Sequence, residues 1–257
     1  MAAVKFIITD LDRTLLRDDK TISEYTINVF EKCRQKNIKI AFATARPKRS
    51  IADYIESVKP DAVIYMNGAV VTAGGLVLRK HLIPSHTAKQ ILKQIEKKFP
   101  ESTLSFEMDD VIYPNFDFME KTEIIKKINF DDLPDQDAEK IIIGTISADK
   151  ILEFKNYIPP DLYLIIDTGR FGFILNKNAS KWEGIKTIAA YFGIDTNETV
   201  AFGDDLTDLE MLENCGIGVA VDNAADEVKS RADFICGSNN NDGVAKWIEG
   251  FKSFTPR

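Results

Sequence analysis

The sequence predicts an α/β chain, a doubly wound, Rossmann-like parallel sheet interrupted by an inserted α+β unit. Three observations carry this expectation. Short apolar runs alternate with helix-length amphipathic stretches up to about residue 80, the alternation resumes after about residue 178, and the pattern between them changes character.

Taken in order, the apolar run Val4 to Thr9 is the first strand, and it ends directly in Asp10-Leu11-Asp12-Arg13-Thr14. A helix follows near Ser23 to Lys36, then a strand over Ile38 to Thr44, a helix around Lys48 to Val58 and a strand over Ala62 to Met66. Strands alternating with helices signal right-handed parallel βαβ units. The central stretch reads as one long helix, Thr87 to Lys98, alternating strands around Thr103 to Tyr113, and strand pairs at Ile141 to Ile146 and Leu162 to Leu175. The parallel pattern returns with a helix near Lys181 to Phe192, strands over Thr199 to Phe202, Ile217 to Val221 and Ala232 to Cys236, a helix near Asp208 to Cys215, and a last helix. Pro84 and Asn176-Lys177-Asn178 suit turns at the joints. The expected domains are residues 1–81 with 178–257, and an inserted unit over 82–177.

At 257 residues with 44% apolar side chains the chain can bury the cores of two modest domains. A formal charge of -7 without a dense Lys/Arg run argues against a nucleic-acid surface. No segment approaches the roughly 20 apolar residues that cross a bilayer, and no leader pattern opens the chain, so an unexported protein with no membrane partner is expected. Cys33, Cys215 and Cys236 are odd in number and scattered, which suits reduced thiols in the cytoplasm.

The chemistry concentrates in acids at strand ends. In an open parallel sheet, ligands bind outside the carboxyl ends of the strands. Asp10 and Asp12 stand at one such end, and Asp204 and Asp205 follow the strand Thr199 to Gly203 at another. If those strands are neighbours, Asp10, Asp12 and Asp204 repel one another unless a divalent cation is shared. Magnesium fits oxygen-only ligands, and the two histidines, His81 and His86, form no cluster that would favour zinc. Ser180 and Glu183 match a capping box, which places Lys181 first in its helix, where the dipole disfavours a cation unless an anion lies nearby. Thr207 and Glu210 match a second box, with Asp208 a first-turn acid able to orient Lys181 or a metal-bound water. Thr14 is expected to support its loop, and Asn67-Gly68-Ala69, after a strand end, suits a plain turn.

With Thr44-Ala45-Arg46 after the second strand, Ser180-Lys181-Trp182-Glu183-Gly184, and Gly203-Asp204-Asp205-Leu206-Thr207-Asp208, the chain resembles the haloacid dehalogenase superfamily. The inserted unit and the tail, Gly218-Val219-Ala220-Val221-Asp222-Asn223-Ala224 through Asp242-Gly243-Val244-Ala245, resemble its Cof-type, IIB-capped phosphatases. The resemblance implies that Asp10 attacks phosphorus to form an aspartyl phosphate, that Asp12 is the acid and base, and that Thr44 and Lys181 stabilise transfer. It implies Mg2+ held by the side chains of Asp10 and Asp204 and the carbonyl of Asp12, with Asp208 in the metal set, and substrate contacts from Thr44, Ala45, Arg46, Lys181 and Thr207. The inserted unit would act as a cap that excludes water and selects the leaving group, and Asn67-Gly68-Ala69 resembles a family loop that faces the cap, the alternative to a plain turn. Arg13, Ala45 and Thr207 stand where the family usually has Gly, Gly and Asn. The expected activity is magnesium-dependent hydrolysis of a small phosphorylated metabolite such as a sugar phosphate, with a sugar phosphomutase or a phosphometabolite sensor as alternatives.

Overall fold

The computed structural model describes residues 4–117, 124–144, 152–167 and 171–251. They divide into two compact units, residues 1–80 with 180–257, and residues 81–179.

The first unit is built on an eight-stranded sheet. Its strands are β1 (Phe6–Thr9), β2 (Lys39–Ala43), β3 (Ala62–Tyr65), β4 (Val70–Ala73), β5 (Leu76–Lys80), β11 (Thr199–Gly203), β12 (Ile217–Val221) and β13 (Phe234–Cys236). They lie in the order β13-β12-β11-β1-β2-β3-β4-β5. The six from β13 to β3 run parallel, and β4 and β5 close one edge antiparallel. All four residues of β1 and all five of β11 and β12 are buried, as expected where helices cover both faces of a parallel sheet. The first strand lies centrally, and the chain winds outward from it in both directions. The sheet therefore switches direction at β1, the place where the carboxyl ends of strands open a crevice.

Helices α1 (Glu24–Gln35), α2 (Ala52–Val58), α4 (Lys181–Phe192), α5 (Leu209–Asn214), α6 (Asp226–Arg231) and α7 (Gly243–Gly250) belong to this unit. The stretch expected as one helix over Lys48 to Val58 is a 3-10 turn, Lys48–Ser50, followed by α2, with the buried Ile51 between them. The β4–β5 hairpin and α6 were not anticipated. The hairpin carries a two-glycine turn signal, Gly74-Gly75, at φ 58° and 80°, whereas α6 buries only Val228 and has no periodicity to read. Cys33, Cys215 and Cys236 are buried free thiols, each pushed up by burial, to about 11, 12 and 12 respectively.

The second unit is a five-stranded antiparallel sheet, β7 (Val111–Pro114), β6 (Thr103–Met108), β8 (Lys140–Gly144), β10 (Phe171–Asn176) and β9 (Leu162–Asp167), in that order. Residues 145 and 146, expected to extend β8, lie outside the described residues. Helix α3 (Ser85–Lys98) brings Ala88, Ile91, Leu92 and Ile95 into one core with Leu104, Phe106, Ile141, Ile143 and Ile174. That spacing is the apolar stripe of a one-sided helix. Among the described residues no helix is long and apolar enough to cross a membrane.

Candidate active site

Register builds the site. Thr9 pairs with Phe202 of β11 and Phe42 of β2, so the residues that follow these strands emerge together. Asp10 extends the ladder by one bond, its N–H donating to the Phe202 carbonyl at 2.9 Å. Asp10 and Asp204 are each only 6% exposed, Thr44 is 1% exposed and Asp208 is fully buried.

Beyond Asp10 the chain makes a distorted turn, Leu11–Leu15, with Arg13 at φ 60°. This left-handed geometry is what glycine adopts without strain, so Arg13 holds a position whose backbone favours glycine. The turn aims Thr14, whose hydroxyl donates to Asp204 Oδ1 at 2.8 Å. Arg13 lies over the same acid, Nε 3.8 Å from Asp204 Oδ2. Its loop is tied down by Asn223, whose side-chain amide donates to the Arg13 carbonyl at 2.7 Å.

Lys181 opens α4, capped by Ser180, whose hydroxyl accepts from the Glu183 N–H at 3.1 Å. Its ammonium is 3% exposed and donates to Asp10 Oδ1 at 2.7 Å and to Asp208 Oδ1. The anion anticipated beside a cation at this helix end is thus a pair of carboxylates. The second oxygen of Asp208 accepts from the N–H groups of Asp204 and Asp205 at 3.0 and 3.1 Å. The capping box in this loop is therefore Asp205 with Asp208, and not the expected Thr207 with Glu210. Gly203 makes this packing possible, since a Cβ there would lie 2.5 Å from Asp208 Cβ.

Asp12 is held separately. Arg46 grips it with both ends of its guanidinium, Nε to Oδ2 at 2.6 Å and Nη2 to Oδ1 at 2.7 Å, and Lys20 Nζ adds 2.8 Å to Oδ1. Tyr54 serves both cations, its ring 5.8 Å from the Arg46 guanidinium and its hydroxyl donating to the Lys20 carbonyl at 2.9 Å. Arg46 is itself oriented through Thr44, whose hydroxyl accepts from the Arg46 N–H at 3.1 Å. Of the remaining expected residues, Ala45 is exposed and Thr207 half-buried. Ala45 offers substrate only its backbone, and no hydrogen bond among the described residues ties the Thr207 side chain to the acids.

The electrostatics divide the acids. Burial, reinforced by the charges of Asp208 and Asp204 and opposed by Lys181, pushes Asp10 up to about 8. Burial and the nearby Asp208 likewise push Asp204 up to about 6. Burial disfavours the Lys181 ammonium, but Asp10 and Asp208 outweigh it and hold the lysine protonated. For Asp12 burial is outweighed by Arg46 and Lys20, which keep the carboxyl below its usual range. Asp12 is thus held in the form that accepts a proton, and donating one requires its cations to change partners.

Asp10, Asp204 and Asp208 each offer a carboxylate oxygen, all within 4.8 Å of one another. Buried acids at that spacing, with oxygen as the sole donor type, fit a hard divalent cation. Both Asp208 oxygens accept hydrogen bonds, from Lys181 and the two amides, whereas Asp10 and Asp204 each keep one oxygen outside any hydrogen bond among the described residues. The contribution expected from Asp12 is its backbone carbonyl; its carboxylate is not in this group.

The haloacid dehalogenase-like hydrolase family profile matches residues 7–248. The chain belongs to that family. It is 29% identical over 266 residues to a Bacillus subtilis 5-amino-6-(5-phospho-D-ribitylamino)uracil phosphatase, covering 96% of this chain and 97% of that protein. Its fold matches that of a HAD subclass IIB sugar phosphatase with a TM-score of 0.85 at 27% identity, over 97% of this chain and 100% of the other. A Thermotoga maritima structure matches with a TM-score of 0.85 at 25% identity, over 97% and 98% of the two chains. The protein is accordingly a hydrolase acting on phosphate esters.

Proposed function

We propose that this protein is a magnesium-dependent phosphatase of small phosphomonoesters that works through an aspartyl phosphate on Asp10. The observation that carries the reading is the buried constellation of Asp10, Asp204 and Asp208 around Lys181 at a sheet's switch point. Asp10, Asp204 and Asp208 would hold magnesium, which would supply positive charge to offset the acids and the phosphoryl oxygens.

The residues divide the work. An Asp10 oxygen attacks phosphorus while the bond from phosphorus to the alcohol oxygen breaks, and Asp12 delivers the proton that oxygen takes. Water then gives a proton to Asp12 as its oxygen displaces Asp10, releasing inorganic phosphate and restoring both acids. Thr44, Lys181 and Arg46 supply donors to the phosphoryl oxygens, and Ala45 and Thr207 flank them. Residues 82–177 serve as a cap that selects the leaving group. The substrate class, a polyol or sugar phosphate in the cytoplasm, is supported by the ribityl phosphate and sugar specificities in the names of two relatives.

The test is release of phosphate from hexose and aryl phosphates with magnesium and with chelator, alongside melting curves. Magnesium should raise Tm, by mass action on the folded state alone, and free phosphate should appear only with the metal. An isomeric hexose phosphate without phosphate release would identify a mutase, and binding without turnover a sensor; either result overturns the phosphatase reading.

A further inference from the structure

Asn67 follows β3 and is 7% exposed, yet its side-chain oxygen is buried without a hydrogen-bond partner. A buried unpaired acceptor is uncommon enough to need a reason. Its backbone is also strained: Met66 and Asn67 stand in succession at φ 48° and 53°, a conformation that side chains disfavour. Strain persists where surrounding structure enforces it, and it gathers at functional sites.

The enforcement comes from the active-site residues themselves. The Asn67 N–H donates to the Thr44 carbonyl at 2.9 Å, and the Met66 N–H to the Arg46 carbonyl at 3.2 Å. On the other side Gly68, at φ 104°, lies so close to Ser180 that a Cβ would be 2.2 Å from its carbonyl oxygen. Ser180 caps the helix that begins with Lys181. The loop is thus wedged between the segment carrying Thr44 and the helix end carrying Lys181, the two groups expected to hold the phosphoryl oxygens.

A phosphomonoester near neutral pH is mostly dianionic and presents only acceptors there. The unpartnered Asn67 oxygen, on the loop wedged between these two segments, can be completed only by a donor, and the phosphoryl group supplies none. We propose that Asn67 is a specificity residue, accepting a hydrogen bond from a hydroxyl on the alcohol portion of the substrate near the ester. This rests on the phosphatase reading and narrows it to polyol and sugar phosphates, which carry such a hydroxyl, over aryl phosphates, which do not.

The test is Asn67→Gly, which removes the side chain and keeps the left-handed backbone accessible. With magnesium present, the ratio of kcat/KM for glycerol phosphate to that for p-nitrophenyl phosphate should fall about tenfold, the loss of one hydrogen bond. Asn67→Asp, which keeps an acceptor and tolerates the same backbone, should hold the ratio within about threefold of wild type. Equal losses on both substrates in Asn67→Gly, or a ratio in Asn67→Asp as low as in Asn67→Gly, would overturn the inference and leave a structural role. A wild-type enzyme that releases phosphate from neither ester would instead overturn the phosphatase reading on which the inference depends.

Discussion

Lys181 is the residue on which the site's charge balance turns. It is the buried cation bonded to both Asp10 and Asp208, and removing one partner of a buried pair leaves charge uncompensated. Lys181→Ala should therefore lower stability by about 3–5 kcal/mol and kcat by about 10²-fold or more. Melting curves and initial rates check this; a variant with wild-type Tm would show that the cation does not balance the cluster. At this scale the sequence was legible where a strand end or helix start announced a residue, as with Asp10, Thr44, Lys181 and Asp204. Lys20 and Tyr54 carried no such signal, and Asn223, although just past β12, gave no sign that it would hold the Arg13 turn. Lys20 reaches Asp12 from the loop after the turn, Tyr54 backs Lys20 and Arg46 from the face of α2, and Asn223 reaches the Arg13 carbonyl; only the folded chain brings them together. The capping box differs from the expected one because Thr207 and Glu210 fit the Ser/Thr-x-x-Glu/Gln pattern, whereas the observed pair, Asp205 and Asp208, closes the box with two carboxylates that the pattern does not include.

At the scale of elements, the β3 exit loop and the start of α4 behave as one unit. Gly68→Ala would force a Cβ against the Ser180 carbonyl at a φ of 104°. The loss of stability should be about 2–4 kcal/mol, and kcat should fall with it because the helix end carrying Lys181 must shift. A control, Gly75→Ala, meets nothing within 4 Å at φ 80°, so it should lose only the backbone penalty of about 1–2 kcal/mol. Equal destabilisation of the two would contradict the close-packing argument. Strands were easier to anticipate than their edges. The buried runs β1, β11 and β12 announce themselves by unbroken apolar character, whereas β5 is largely exposed and its short apolar run, Leu76-Val77-Leu78, gives way at once to Arg79 and Lys80.

Across the whole first unit, the two ends of the chain are locked together by Asp242. Its carboxylate accepts from Ser23 at 2.7 Å and Arg17 at 2.8 Å. Burial raises its proton affinity, but those partners outweigh burial and hold the group below its ordinary 3.8. Because the folded form then binds a proton less readily than the unfolded chain, the stabilisation is complete above 3.8 and disappears as pH falls through the lower folded value. Asp242→Asn, which tolerates the φ of 56°, should destabilise by about 1–2 kcal/mol at neutral pH, and the gap from wild type should close in acid. A gap independent of pH would contradict the charged lock.

The same long-range closure, strand β1 beside strand β11, is what sets Asp10, the proposed nucleophile, next to Asp204. The most direct measurement is mass spectrometry of Asp12→Asn quenched during turnover of an aryl phosphate with magnesium, a leaving group that needs little protonation. Removing the base that activates water should let a single phosphoryl group accumulate on the peptide containing Asp10, and Asp10→Asn should neither carry it nor turn over. Phosphoryl label on another residue, or undiminished turnover by Asp10→Asn, would contradict the account.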